Sequence, residues 1–304
     1  MLLTHRATLI GSTAIILWGT LALFTQLTGG QIPPFQLLAM TFSIAFILML
    51  LRWLKQGHVG LQYLNQPPQL WLLGIGAYFL FHLCYFIAAA RAPVVEVSML
   101  ASLWPLLLVL FNALLPGERL YMRHLTGATI ALTGCWVLLS KGGGSFSADY
   151  VIGYVSALCA ALIWATFSAC SRLFRQVTVD VTGWFCAGTA LLALCCHLYW
   201  ETTVWPQTLS HWAGIVGLGI GPMGFAFFAW DHGVKHGNLP LLAVCAFFTP
   251  LISALLLVLS GEAEANWHLA ISCLMIVSGA LLAGYHRNRV RNPEPTGATA
   301  TSSI

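Results

Sequence analysis

Apolar residues fill this chain in ten long runs, and turn-forming or polar residues mark the gaps between them. The pattern predicts helices at about 7–27, 35–54, 70–90, 94–115, 123–140, 150–172, 181–200, 212–232, 238–259 and 267–285. Each run holds roughly 18–23 residues, enough to cross about 30 Å of hydrocarbon at 1.5 Å per residue. The gaps are short: Gly29-Gly30 with Pro33-Pro34, Pro67-Pro68, Pro116-Gly117, Gly142-Gly143-Gly144 and Gly237-Asn238. They leave no room for a soluble domain. The tail after Tyr285 is polar, with proline and glycine, and reads as disordered.

The pattern occurs twice, about 145 residues apart. Leu17-Trp18-Gly19 answers Ile163-Trp164-Ala165, Trp104-Pro105-Leu106 answers Thr249-Pro250-Leu251, and Gly134 answers Gly279. Each copy holds five spans, and five is odd, so the second copy is inverted relative to the first. The expected architecture is an all-α membrane protein of ten transmembrane helices. It is built as one five-helix repeat over 1–141, an inverted second over 150–286, and a tail over 287–304. Inverted repeats of this kind belong to transporters, whose two copies pack around a shared site at mid-depth.

Composition sharpens this picture. The chain is 59% hydrophobic and only 7% charged, against about 25% charged in a soluble domain. So few charges cannot cover a solvated globule, and most of the outer surface is expected to face lipid. The nine cysteines all sit in apolar runs without a C-x-x-C, so they read as small helix residues, not as ligands or a disulfide framework. The first run is about 21 residues, longer than a signal-peptide core, and reads as a retained helix. Eleven basic residues fall on the side of the N-terminus: Arg6, Arg52, Lys55, Arg119, Arg123, Arg172, Arg175, Lys235, Arg287, Arg289 and Arg291. Only Arg91 and Lys141 fall on the other. Both termini are therefore expected in the cytoplasm. The Arg287–Arg291 cluster has the size of a juxtamembrane anchor, not of a nucleic-acid site.

Several polar-tipped aromatic residues lie near the centres of their spans. They are Trp18, Trp104 and Trp164, with His82 and Tyr85 on one face of the third helix and Tyr78 a turn before. On the symmetry-related eighth helix that face carries Phe227 and Trp230. Any one of these could simply fill the core. As a set they require partners for indole and imidazole nitrogens at one depth, which a central cavity for a flat amphipathic solute supplies. Pro105 and Pro250 fall mid-helix in the fourth and ninth spans and read as kinks or hinges. Each frees a carbonyl one turn back, at Ala101 and Ala246, with Ser102 and Thr249 close enough to cover them. Two acid–base pairs are expected at helix ends near the interfaces, Arg91 with Glu96 and Asp231 with Lys235. No carboxylate falls near the midplane, so His82 is the group there that could titrate near neutrality. P-loop and H-E-x-x-H patterns are absent, no serine, histidine and acid share a depth, and no cofactor is expected.

The whole chain resembles the EamA type of the drug/metabolite transporters, with ten helices in two inverted repeats. Several stretches resemble its aromatic amino acid exporter branch. In the first half these are Ile15-Ile16-Leu17-Trp18 and Glu96-Val97-Ser98-Met99, leading to Leu103-Trp104-Pro105. In the second half they are Ala161-Leu162-Ile163-Trp164-Ala165, Ala229-Trp230-Asp231-His232-Gly233, His236-Gly237-Asn238 and Phe248-Thr249-Pro250. The resemblance implies export of aromatic and other neutral amino acids, or similar metabolites, across a bacterial inner membrane. It implies a cavity lined by Trp18, Phe81, His82, Tyr85, Ser102, Trp104, Trp164, Trp230 and Phe247. The chain departs from the branch at Ala101-Ser102, where Asn-Tyr is usual, and at Asp231, where Asn is usual; the lost phenol widens the expected pocket. The expected partners are a small-molecule substrate and the bilayer, not nucleic acid. A broad efflux pump for cationic or lipophilic compounds keeps the same fold, though it lacks an acid at mid-depth to meet a cation. A membrane scaffold or intramembrane enzyme lacks a catalytic constellation. No G-x-x-x-G face specifies an oligomer.

Overall fold

The computed structural model describes residues 2–118, 121–140, 147–261 and 267–284, and all regular structure among them is helical. The first predicted span is broken into α1 (Leu2–Gly19) and α2 (Leu21–Leu27). α3 (Pro34–Lys55) and α4 (Pro68–Arg91) follow without interruption. The fourth span splits into α5 (Val94–Ala101) and α6 (Trp104–Asn112), and α7 (Met122–Ser140) ends the first half. In the second half α8 (Val151–Ser171) and α9 (Val181–Trp200) are continuous. α10 (Leu209–Ile220) passes through a π-helical turn, Gly221–Phe225, into α11 (Ala226–His236). The ninth span splits into α12 (Leu239–Cys245) and α13 (Phe248–Leu259), and α14 (Trp267–Gly284) is last.

Eight of these spans are long and apolar enough to cross a membrane; α14 carries a shorter apolar stretch, Trp267–Ala283, and α7 stands outside the eight. Leu72, Leu198 and Leu274 are each more than two thirds exposed on the outer face. Such a surface suits hydrocarbon and not water, and the chain is a multi-pass helical membrane protein. The expected tail over 287–304, with Arg119, Lys141, Arg287, Arg289 and Arg291, lies outside the described residues.

Each break has a local cause. Pro105 and Pro250 lack an N–H, so the helix restarts just before them, at Trp104 and Phe248. The π turn surrounds Pro222 for the same reason. At the α1–α2 break no proline is present; the Thr20 hydroxyl donates to the Leu17 carbonyl at 2.6 Å and the Thr20 N–H reaches the same oxygen at 3.1 Å. A side chain competing for a backbone acceptor loosens the α-helical ladder there.

The expectation that Ser102 and Thr249 cover the carbonyls of Ala101 and Ala246 is not met. Ser102 Oγ turns back to donate to the Met99 carbonyl at 2.7 Å. The Ala246 carbonyl accepts from the Thr249 backbone N–H at 3.0 Å, and Thr249 Oγ1 is buried without a partner.

The closest packing joins elements across the midpoint of the chain: α1 with α11, α4 with α8, α3 with α9, and α7 with α14. Glycines permit two of these approaches. A Cβ on Gly279 would stand 2.5 Å from the Gly127 carbonyl oxygen, and one on Gly11 would stand 2.9 Å from Gly233 Cα. Gly134, the sequence counterpart of Gly279, meets Met275 instead.

The α3–α9 pair is clamped at both ends. Asp180 accepts from Arg52 at 2.6 Å, from the Trp53 indole at 2.9 Å and from the Thr178 hydroxyl at 2.7 Å. At the other end Glu201 accepts from the backbone N–H groups of Phe35 and Gln36, both at 3.0 Å, and pairs with His197 at 2.9 Å. A carboxylate on the first N–H groups of a helix satisfies donors that have no partner within it.

The two interfacial acid–base pairs come out differently. Asp231 and Lys235 do pair, at 2.7 Å, toward the end of α11 as expected, with both side chains almost fully buried. Arg91 and Glu96 do not pair among the described residues: Arg91 is exposed, whereas Glu96 is 5% exposed with Oε2 unpartnered. Ala92 is extended and Pro93 follows, so the two side chains leave different helices in different directions.

Gly279→Val is expected to separate α7 from α14 and lower the thermal unfolding midpoint in detergent. Gly76→Ala, whose added methyl would meet only the end of Leu72 at 3.7 Å, is expected to leave it unchanged. Equal midpoints for the two variants would refute a close α7–α14 contact.

Candidate functional site

The four helix breaks converge on one cavity of about 570 Å3. Its wall includes Trp18 and Leu21 around the first break, Ser102 and Trp104 around the second, Met223 in the π turn, and Ala246 and Phe247 at the last. From this depth the wall continues along Ala22, Leu138, Leu139, Leu257 and Leu269. These residues belong to the half of the bundle opposite the start of α1, so the cavity extends from mid-depth toward that side only.

Of the residues expected to line a site, the structure brings Trp18, Phe81, His82, Tyr85, Ser102, Trp104, Trp164 and Phe247 onto this wall, together with the two prolines, Pro105 and Pro250. Trp230 lies outside it. That ring is fully buried, 5.2 Å from Trp18 and 5.5 Å from Trp104 between centroids, and its indole donates to Ser168 at 3.0 Å.

Trp18, Trp104 and Trp164 pack on one another edge to face. Their centroids are 6.4, 5.7 and 6.5 Å apart with interplanar angles of 88°, 77° and 87°. Edge-to-face contact sets the positive ring edge of one against the negative face of the next. The three indoles therefore form a continuous floor, not separated plates between which a solute slides. Beside this floor, Phe81 lies 5.5 Å from Trp164 and stacks on Tyr85 at 6.3 Å and 18°.

The polar groups divide into those already satisfied and those open to a ligand. The Trp18 indole donates to the Pro222 carbonyl at 3.0 Å and so ties α1 to the π turn. His82 Nδ1 lies 2.6 Å from the Tyr78 carbonyl. A carbonyl only accepts, so Nδ1 carries the proton and Nε2 of the neutral ring keeps its lone pair. Among the described residues, His82 Nε2 and the indole N–H groups of Trp104 and Trp164 have no hydrogen-bond partner. Thr249 Oγ1, also on the wall, is likewise unpartnered. The site thus offers two indole donors, one imidazole acceptor and the hydroxyls of Thr249, Tyr85, Ser98 and Ser253 above an aromatic floor. Among the described residues, no aspartate, glutamate, lysine or arginine lines it.

Two contributors are less visible in the sequence. Pro222 carries the same signal as Pro105 and Pro250, a proline inside an apolar span, and belongs with them. Trp136 carries no such signal. Its indole donates to the Met99 carbonyl at 2.9 Å and to Ser102 Oγ at 3.2 Å, closing the backbone gap between α5 and α6 from behind. Beneath the floor the bundle is shut by Trp230, by the Asp231–Lys235 pair, and by Lys235 donating to the Val177 carbonyl at 3.2 Å.

The EamA-like transporter family matches residues 5–140 and again residues 151–285. The chain belongs to the EamA-like transporter family. It is 48% identical over 279 residues to a protein of Ancylobacter novellus named aromatic amino acid exporter YddG, covering 91% of this chain and 96% of that one. A protein of the same name from Salmonella typhimurium is 30% identical, covering 92% and 97% of the two chains. A solved structure superimposes with a TM-score of 0.88 at 46% identity, over 92% of this chain and 98% of its own. Broken backbone lies at membrane depth only where it borders a cavity or packs inside protein, which fits the four breaks around this one.

Trp18→Phe removes the donor to Pro222 and leaves that carbonyl unmet, at a cost of about 1–3 kcal/mol. Trp164→Phe removes an N–H that binds no protein group. Thermal unfolding in detergent should therefore show the larger loss for Trp18→Phe; an equal or smaller loss would refute a structural role for the bond.

Proposed function

We propose that this chain is a secondary transporter that exports neutral, aromatic amino acids or related metabolites across a bacterial inner membrane by alternating access. The observation that carries this reading is the uncharged cavity at mid-depth, floored by Trp18, Trp104 and Trp164 and edged by unpartnered hydrogen-bonding groups. An aromatic side chain finds ring faces and apolar wall there. Its ammonium finds His82 Nε2, and its carboxylate finds the indoles of Trp104 and Trp164 and the Thr249 hydroxyl. The names of the two relatives at 48% and 30% identity agree with this assignment.

In this reading the chain spans the membrane ten times as two inverted five-helix units, over 1–141 and 150–286, with both termini in the cytoplasm. The cavity then opens to the outside, and the layer from Trp230 to Lys235 seals the inside. The breaks at Pro105 and Pro250 supply the bends as the two units rock. Release to the other side requires the Trp18–Pro222 tie, the floor and the sealing layer to rearrange together.

Uptake of labelled phenylalanine and tryptophan into liposomes holding the purified protein tests the assignment, with sugars and a quaternary ammonium dye as competitors. Both amino acids are expected to be carried and neither competitor to inhibit. Trp104→Ala removes a large ring face and is expected to raise the KM for phenylalanine about tenfold to hundredfold. His82→Asn is expected to raise it several-fold by displacing one acceptor. Transport of the dye with no transport of either amino acid would replace this reading with drug efflux.

A further inference from the structure

A second groove, of about 830 Å3, opens on the outer face of the bundle at the end where α1 begins. It does not communicate with the indole floor through any shared lining residue. One wall is α1, along Ile10, Thr13 and Leu17. The other is α11 and its π turn, along Phe225, Phe228, His232 and His236. Loop residues 175–180 and the last turn of α3 close its end with Arg175 and Arg52.

The chemistry of the groove changes with depth. Near mid-depth it is apolar, and Ile10 and Phe225 are 44% and 54% exposed within a face that has no protein cover. At its end stand two guanidinium groups with side chains 52% and 49% exposed, on Arg52 and Arg175. The nearby carboxylate does not cancel them toward the outside. Asp180 lines the groove and accepts from Arg52 at 2.6 Å, but its carboxylate is only 7% exposed and also accepts from Trp53 and Thr178, so the Arg52 fork keeps further N–H donors. Asp231 is spent on Lys235 behind α11. Arg175 approaches Glu118 only to 3.7 Å and keeps further N–H donors. His232 and His236 stack at 4.9 Å and 30° and form a flat wall beside the arginines.

A long apolar slot that ends in two half-exposed guanidinium groups matches an amphiphile with an anionic head. Guanidinium forks suit phosphate oxygens in particular. We propose that this groove is a specific site for one anionic phospholipid of the inner leaflet. The phosphate sits on Arg52 and Arg175, and one acyl chain lies along Ile10, Leu17, Phe225 and Phe228. The proposal rests on the topology above, which puts the start of α1 at the inner leaflet. A lipid so placed bridges α1, α3 and α11, the elements that flank the sealed end of the transport cavity.

Native mass spectrometry of the full-length protein in detergent, titrated with phosphatidylglycerol or phosphatidylcholine, tests the site. One phosphatidylglycerol is expected to stay bound at collision energies that strip phosphatidylcholine. Arg175→Ala is expected to lower its retention about fivefold, from the loss of one cationic contact. Lys55→Ala, which removes a positive charge at the same end but outside the groove, is expected to leave retention unchanged. Equal retention of the two lipids, equal loss in the two variants, or displacement by millimolar inorganic phosphate would overturn the proposal. The adduct is read without transport, so a protein that holds the lipid yet carries no amino acid would refute the proposed cargo and leave this site standing.

Discussion

Every backbone N–H and C=O at membrane depth must find a partner inside the protein, because lipid provides none. The rest of this structure follows from how the chain meets that demand at its four helix breaks. Each break frees backbone groups, and each is repaired either from a neighbouring helix or by the break's own residues. The Trp18 indole takes the Pro222 carbonyl, the Trp136 indole takes the Met99 carbonyl, the Thr249 N–H takes the Ala246 carbonyl, and the Thr20 hydroxyl takes that of Leu17. The Trp18–Pro222 bond ties two of the breaks to each other, and the space between the four breaks is the cavity.

The breaks are not symmetric, although the sequence pattern nearly is. The fourth and ninth spans are both interrupted at a proline. The first span is interrupted, whereas its counterpart α8 is not; the eighth contains a π turn, whereas its counterpart α4 does not. The interrupted elements pack on each other, as α1 with α11, and so do the continuous ones, as α4 with α8. One side of the cavity is therefore stiff and carries Phe81, His82, Tyr85 and Trp164. The other is jointed and carries Trp18 and Met223. A stiff wall holds ligand-facing groups in fixed register, and a jointed one can change the size of the opening.

What the sequence reveals tracks how local the cause is. A mid-span proline breaks a helix wherever it occurs, so Pro105 and Pro250 mark their breaks in advance, and Pro222 carries the same mark. A central tryptophan must place its N–H, so the indole set points to a shared polar site. Which indole faces the cavity is a matter of rotation about helix axes set by distant partners. Trp230 turned to Ser168, behind the wall, for that reason. The Gly19–Thr20 break depends on one hydroxyl choosing a backbone acceptor, and no apolar pattern records such a choice. Spacing along the chain also brings Arg91 within reach of Glu96, but the extended Ala92-Pro93 step sends them apart. The pair that does form, Asp231 with Lys235, lies on one uninterrupted helix, where spacing does fix geometry.

The pairing of helices across the midpoint of the chain also orders events in time. α1 is made early, but its partner α11 is made some 200 residues later, and ribosomes add about 5–20 residues each second. For many seconds the first half waits in the bilayer without the faces it will pack against. The Met99 carbonyl can be covered early, because Trp136 follows in the same half. The glycine faces of α1 and α7, and the indole of Trp18, stay uncovered until the second half is inserted. Assembly of this bundle is thus completed late, with α3 and α4 finding their partners before α1 and α7 do, and until then the uncovered faces of the first half rest against lipid or the insertion machinery.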